Sequence, residues 1–243
     1  IKTTTNAGGR ILGFSDNIYG NSGHRDRHVY MKNNGQLVFG VRTSENSART
    51  VSSASSYNDG EWHQVTSTLS DEGMKLFVDG VRVGQRADTT AGEAYLGYWR
   101  LGGDRLNGWP SRPSNVNFDG DVDELAIYQI ALDQDQIINQ YDLTGRTSVI
   151  PDAPADAYGA AVYSAEPDMY WRFAESSGDV AEDSSRSVSP GTYRNGYTLG
   201  EPGALRGNTA TTFDGVNGFV SSNASFSNPS VYSQEAWFKT TTD

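Results

Sequence analysis

The chain has no cysteine, which rules out disulfides and thiolate metal sites. It has no apolar run near the roughly 18 residues that a membrane-spanning helix needs, so membrane insertion is not expected. Its first residues hold no basic stretch leading into an apolar one and do not read as a signal peptide; a signal further upstream stays compatible with the sequence. Positive charge is scarce: 19 Lys and Arg stand against 30 Asp and Glu, for a net charge of −11. An acidic surface repels nucleic acid and anionic membranes, so neither is expected as a partner, and it suits solubility and cation binding. Leu-rich heptads are few, which argues against a helical bundle. The G-x-S-x-G elbow, the P-loop and the dinucleotide fingerprint are all missing, which removes the usual signatures of several enzyme classes.

What is present is turn-rich β sequence. The 243 residues include 27 Gly, 13 Tyr, 9 Phe and 5 Trp. In "HVYMKNNGQLVFGV", Asn34-Gly35 separates two runs, and Leu37, Phe39 and Val41 alternate on the second. In "MKLFVDGVRVG", Asp79-Gly80 separates Leu76 and Val78 from Val81 and Val83. Such dipeptides tolerate the positive φ angles of tight hairpin turns. "EWHQVTSTLS", "YLGYWRLGGD" and "FDGDVDELAIYQIAL" predict further strands, as do "GTYRNGYTLG", "TATTFDGVNGFVSS" and "SVYSQEAWFKTTT". One helix is predicted near residues 133–142: Asp133 with Gln136 makes a capping box, Ile137, Ile138 and Tyr141 form the apolar stripe, and Gly145 ends it. "TSVIPDAPADA" reads as a linker.

Three phrases together resemble the laminin G-like family of the concanavalin A-like lectin/glucanase superfamily. "YNDGEWHQVTSTLSDEGMKLFVDGVRVG" is similar to its DG-x-WH strand and LYVDG-type hairpin, and "FDGDVDELAIYQIALDQDQI" to the end of such a domain. "YWRFAESSGDVAEDSSRSVSPGTYRNG" and "GNTATTFDGVNGFV" are similar to its beginning. The resemblance implies an all-β fold, a concanavalin A-like jelly-roll sandwich of two antiparallel sheets.

The order is inverted, since the ending precedes the beginning. Residues 1–147 therefore read as the C-terminal two-thirds of one sandwich, 148–157 as a linker, and 158–243 as the N-terminal third of the next repeat. The chain also opens on "IKTTTN" and closes on "FKTTTD", so that Ile1 aligns with Phe238 and Asn6 with Asp243. The expectation is one period of a tandem array, whose two pieces complete a sandwich as a circular permutant or by exchange with neighbouring chains.

The resemblance implies a calcium site where the first and last strands meet, with Asp123 and Asp214 as ligands, Gly215 offering a carbonyl, and Asp119 and Asp121 as alternates. The plain alternative is that both aspartates cap turns and bind local amides. "HRDRH", His24 to His28, could hold zinc, but it enters a strand and not a helix turn, and a solvated turn is the simpler reading. Asp123, Glu124 and Glu235 are carboxylates available for glycoside hydrolysis, but they form no E-x-D-x-E run of the glucanase kind. Among the aromatics, Trp109 beside Pro110 is expected at the surface as a sugar-stacking residue. Trp99, Trp62, Trp171 and Trp237 are expected in the core.

The implied function is non-catalytic: an extracellular or cell-surface module, structural or adhesive, whose partners are neighbouring copies of the repeat and surface glycans. The alternative is a carbohydrate-binding module accessory to a secreted glycoside hydrolase.

Overall fold

The computed structural model describes residues 1–44, 46–223 and 232–240. The chain divides into two compact units, Ile1–Ser148 and Val149–Asp243.

The first unit is built from hairpins. Strands β1 (Gly9–Ser15), β2 (Arg25–Met31), β3 (Gln36–Arg42) and β4 (Ala48–Ser56) form one antiparallel sheet with β8 (Tyr98–Leu101), in the order β4-β3-β2-β1-β8. Strands β5 (Val65–Ser70), β6 (Gly73–Val78) and β7 (Val81–Arg86) form a second. The predicted turns are where the dipeptides put them: Asp79 and Gly80 have φ 53° and 84°, as a turn of mirror-image type requires, and in the Asn34-Gly35 turn Gly35 alone has a positive φ, 82°.

The two sheets pack face to face over Val29, Met31, Leu37, Phe39, Val41 and Val51 from one and Met74, Leu76 and Val78 from the other. The period-two pattern of β3 and β6 delivers these side chains to one face. On the other face of β6, Phe77 meets Leu132 and Ile137 of helix α1 (Gln134–Asp142). That helix starts as expected: Asp133 accepts from the Gln136 amide at 2.8 Å, and Gln136 Oε1 accepts from the Asp133 amide at 3.0 Å.

The five-stranded sheet is covered on its second face too. The segment 102–118 crosses it and seats Leu106 and Trp109 against Tyr30 and Val38. Gly40 makes room: a Cβ there would stand 2.4 Å from the Trp109 ring.

The second unit carries smaller ladders. Strands β9 (Val180–Ala181), β10 (Gly191–Arg194) and β13 (Phe219–Ser222) form one sheet, and β11 (Tyr197–Pro202) pairs with β12 (Thr209–Phe213). Asp183, nearly buried, ties the turn below them by accepting from the amides of Tyr170, Ser185 and Ser189 and from the Ser185 hydroxyl.

Three expectations need correction. A second helix, α2 (Ala157–Ser164), follows the proline-rich stretch, capped by Asp156 accepting from the Gly159 amide at 2.7 Å. No strand forms across "DVDELAIYQI": beyond the single bridge Lys2↔Asp121, residues 122–130 have no ladder partner among the described residues, and Leu125, Ile127, Tyr128 and Ile130 are exposed. Likewise 232–240 belongs to no strand, and Trp237 is 68% exposed and not in a core. The rest of that expected strand and the end of the "FKTTTD" echo (230, 231 and 241–243) lie outside the described residues.

Candidate functional site

At the β1–β8 edge, sequence alternation and a bulged register gather aromatic rings. Phe14 stands opposite Trp99 across the ladder. Its ring lies 5.2 Å from those of both Trp99 and Tyr95, tilted against each. The Arg27 guanidinium sits 5.3 Å over Phe14, the geometry of a cation–π contact. The Tyr95 hydroxyl donates to the Phe14 carbonyl at 2.8 Å. Because β8 is the last strand of its sheet, Trp99 stays 43% exposed. His24 leans on Tyr95 at 5.5 Å, and its Nδ1 lies 2.8 Å from Glu93 Oε1. The result is an aromatic step with a rim of one cation, one imidazole and one carboxylate.

Asp26 holds that rim in place. It is fully buried and accepts from the backbone amides of Arg27 at 2.7 Å and Glu93 at 3.2 Å, from the Arg42 amide, and from Arg27 Nη1 at 3.0 Å. Burial pushes its carboxyl above the usual range, against the pull of those amides and of the Arg27 charge. A buried carboxylate with this many donors fixes three neighbouring segments at once.

On the face covered by segment 102–118 lies a second, denser network. Arg10, wholly buried, donates from Nε to His28 Nδ1 at 3.0 Å, from Nη1 to the Gly102 carbonyl at 3.0 Å and from Nη2 to Ser15 Oγ at 3.1 Å. Burial lowers the Arg10 guanidinium to about 10. Ser15 and Ser22 donate to Asp104 Oδ2 at 2.9 and 2.6 Å, and Arg100 Nη1 reaches the same oxygen at 3.1 Å. Burial works to raise the Asp104 carboxyl, but the Ser22 hydroxyl, the Arg105 and Ser22 amides and the Ser15 hydroxyl outweigh it and hold it at about 2. His28 is pushed well below its ordinary value by burial and by Arg10, so it stays neutral with Nδ1 as acceptor.

Trp109, expected at the surface, is 4% exposed, while Trp99, expected in the core, is the open ring. The cause is long-range. Trp109 is sandwiched by His28, edge-on at 4.6 Å, and by Arg42 at 5.2 Å, and its neighbour Pro110 offers a carbonyl to the Tyr30 hydroxyl. An enclosed indole has no face left for a sugar. The cluster "AYLGYWRLGGDRLNGW" carried the aromatic signal, and it was the choice within it that local sequence could not settle.

Of the predicted calcium ligands, Asp123 lies in the first unit and Asp214 and Gly215 in the second. Asp123 Oδ1 accepts from the next amide, Glu124, at 2.9 Å. Asp214 Oδ1 accepts from the amides of Val216, Asn217 and Gly218 at 2.9–3.1 Å, which together hold its carboxyl below the usual range. Gly215, at φ 70°, makes that turn. Of the alternates, Asp119 offers its backbone carbonyl to Thr3, and Asp121 bridges Lys2. Calcium takes six to eight oxygens, and among the described residues no three His, Asp or Glu side chains gather as a metal group. The surroundings of each carboxylate do not fit the ion on their own. His24 and His28 also part company, one on Glu93 in the open and the other on Arg10 in the interior.

A family model described as the concanavalin A-like lectin/glucanases superfamily, of laminin G type, matches residues 1–138. No curated protein matches the chain. Among solved structures, a native heptameric SAP-like pentraxin from Limulus polyphemus is similar at 20% identity, with a TM-score of 0.42, over 57% of this chain and 64% of the pentraxin. An S-layer domain-containing protein from Clostridium thermocellum is similar at 20% identity, with a TM-score of 0.28, over 58% of this chain and 66% of its own. The chain thus spans a little under two thirds of either structure.

Proposed function

The chain belongs to the laminin G-like family of the concanavalin A-like lectin/glucanases superfamily, and from that premise we propose that it is a non-catalytic extracellular module of a tandem-repeat secreted or surface protein. Its work is structural and adhesive, its partners are neighbouring copies, and its two pieces complete one sandwich between them, so that repeats can join into filaments. The observation that carries this reading is the apolar surface left open on the first unit. Tyr98, Trp99 and Leu101 on the edge strand, and Leu125, Ile127, Tyr128 and Ile130 beyond the last bridge, are all at least 41% exposed. Exposed apolar side chains grouped along an edge strand and along an unpaired segment are the kind of surface that a partner covers. The test is solution mass against concentration: association is expected, and a chain that is monomeric at every concentration and turns over a polysaccharide would refute the reading.

The aromatic step favours a second reading, a carbohydrate-binding module accessory to a secreted hydrolase. Trp99 offers an open π face, and Arg27, His24 and Glu93 offer polar groups at its margin, the combination that grips the C–H face and hydroxyls of a sugar ring. On a glycan array, binding that falls at least tenfold in Trp99→Ala and is kept in Trp237→Ala supports it. Absence of glycan binding, or binding indifferent to Trp99, removes it. Calcium has no share in either reading unless chelation lowers the melting temperature and added calcium restores it.

A further inference from the structure

In the layer under segment 102–118, His28 Nε2 and Trp109 Nε1 are buried with no hydrogen-bond partner among the described residues. Their side chains are enclosed, at 0% and 4% exposure. Both nitrogens are donors. Arg10 Nε can only donate, and it donates to His28 Nδ1 at 3.0 Å, so the neutral imidazole carries its proton on Nε2. An indole nitrogen donates and never accepts. The two rings meet edge-on, with centroids 4.6 Å apart. Such a contact turns at most one of the two N–H groups onto a ring face and leaves the other unserved. The charge around these donors is also out of balance. Arg10 is wholly buried, and its bonds end on His28, the Gly102 carbonyl and the Ser15 hydroxyl, none of them anionic. Arg25 donates to the carbonyls of Ser22, Gly23, Arg105 and Asn107. Arg42 lies over the Trp109 ring and bonds the Asn46 backbone and side-chain oxygens. All three guanidiniums add to the burial that keeps His28 neutral, and Asp104 pulls the other way. That carboxylate is already held by Arg100 at 3.1 Å. Asp26, the fully buried carboxylate of β2, is taken by Arg27 and three backbone amides. Buried positive charge without a counter-charge is costly.

We propose that this layer binds one small monovalent anion, chloride, held by the N–H groups of His28 Nε2 and Trp109 Nε1 in the field of Arg10, Arg25 and Arg42. The chemistry selects the class of ligand. The open groups are donors and the surrounding charge is positive, so the occupant accepts hydrogen bonds and carries negative charge. A water molecule would satisfy the donors and leave the charge unanswered. A polyatomic oxyanion brings more acceptor oxygens than two enclosed donors can serve, so a single-atom anion is the better fit. The ion also acquires a structural role. His28 stands on β2 and Trp109 on segment 102–118, so an anion shared by the two fastens that segment to the sheet. This site goes beyond the linking and glycan-binding readings and depends on neither.

The test melts the whole 243-residue chain in potassium chloride and in potassium gluconate at matched ionic strength. The melting temperature is expected to rise with chloride along the one-site mass-action curve, and bromide is expected to act alike. Trp109→Phe keeps a ring and drops the N–H. It is expected to bind chloride roughly tenfold more weakly, the worth of one hydrogen bond to a charged group. Crystals of the wild type grown with bromide are expected to show anomalous density within hydrogen-bond distance of both nitrogens, a result that needs no variant to fold. A melt indifferent to chloride, with water at the two nitrogens, overturns the proposal. Bromide confined to surface arginines is an adventitious ion only, and overturns it. Density at the two nitrogens with no chloride effect on the wild-type melt is binding at crystal concentration only, and overturns it as well. A chloride response that Trp109→Phe keeps in full places the ion elsewhere and does the same.

Discussion

The two covered faces of the five-stranded sheet are built on opposite principles. The face toward β5–β7 is apolar throughout, with Met31, Leu37, Val41, Met74 and Leu76 fully buried. The face under segment 102–118 buries charge: Arg10, His28, Ser15 and Ser22 show no exposed surface, and Asp104 shows 6%. The first holds by area removed from water, which is additive and indifferent to pH. The second holds only while its charges stay paired, because a charge left alone inside costs several times what a pair gains. An apolar layer therefore tolerates small exchanges, whereas the charged layer is cooperative and fails as a unit.

The contrast can be broken most sharply at Asp104. Asp104→Asn removes the counter-charge of Arg100 and the shared acceptor of Ser15 and Ser22, and it is expected to cost about 3–5 kcal/mol in urea unfolding. Acid should do the same to the wild type. The folded Asp104 carboxyl lies at about 2, below its ordinary value of 3.8, so its contribution is complete above about pH 4 and is lost as pH falls from there through 2. Trp109 emission followed during acidification reports that loss, and the pH dependence should disappear in the asparagine variant.

On the apolar face, Leu76→Ala is expected to cost about 2–5 kcal/mol through lost transfer energy and the cavity left behind. Unlike the charged face, it should repay most of that on Leu76→Met, and its cost should be the same at pH 5 and pH 7. A strong pH dependence there would erase the distinction. The smallest effect belongs to the helix cap outside both faces: Asp133→Ala frees the Gln136 amide and should cost about 1 kcal/mol in thermal unfolding, leaving the emission of Trp109 unchanged.

The hairpins and α1 were legible because their signals are local: Asn34-Gly35, Asp79-Gly80 and the Asp133/Gln136 box each act within four residues. Helix α2 had such a signal in Asp156 before "AYGAAVYS", hidden by the prolines beside it. The charged layer was not legible, since Asp104 is 89 and 82 residues from the Ser15 and Ser22 that it holds and each residue alone reads as a surface residue. The exchange of Trp99 for Trp109 has the same origin, because burial was decided by Arg42 and His28. "DVDELAIYQI" carries a strand pattern, but a strand is a property of two edges, and sequence shows one.

The enclosure of Trp109 makes the protein its own optical probe. With a guanidinium on one side and an imidazole edge on the other, this indole emits from a dry, charged niche. Trp99 and Trp237 emit from water. Any event that lifts segment 102–118 will move the emission of this one of the five tryptophans toward the red, so the opening of a single loop can be timed without attaching a dye.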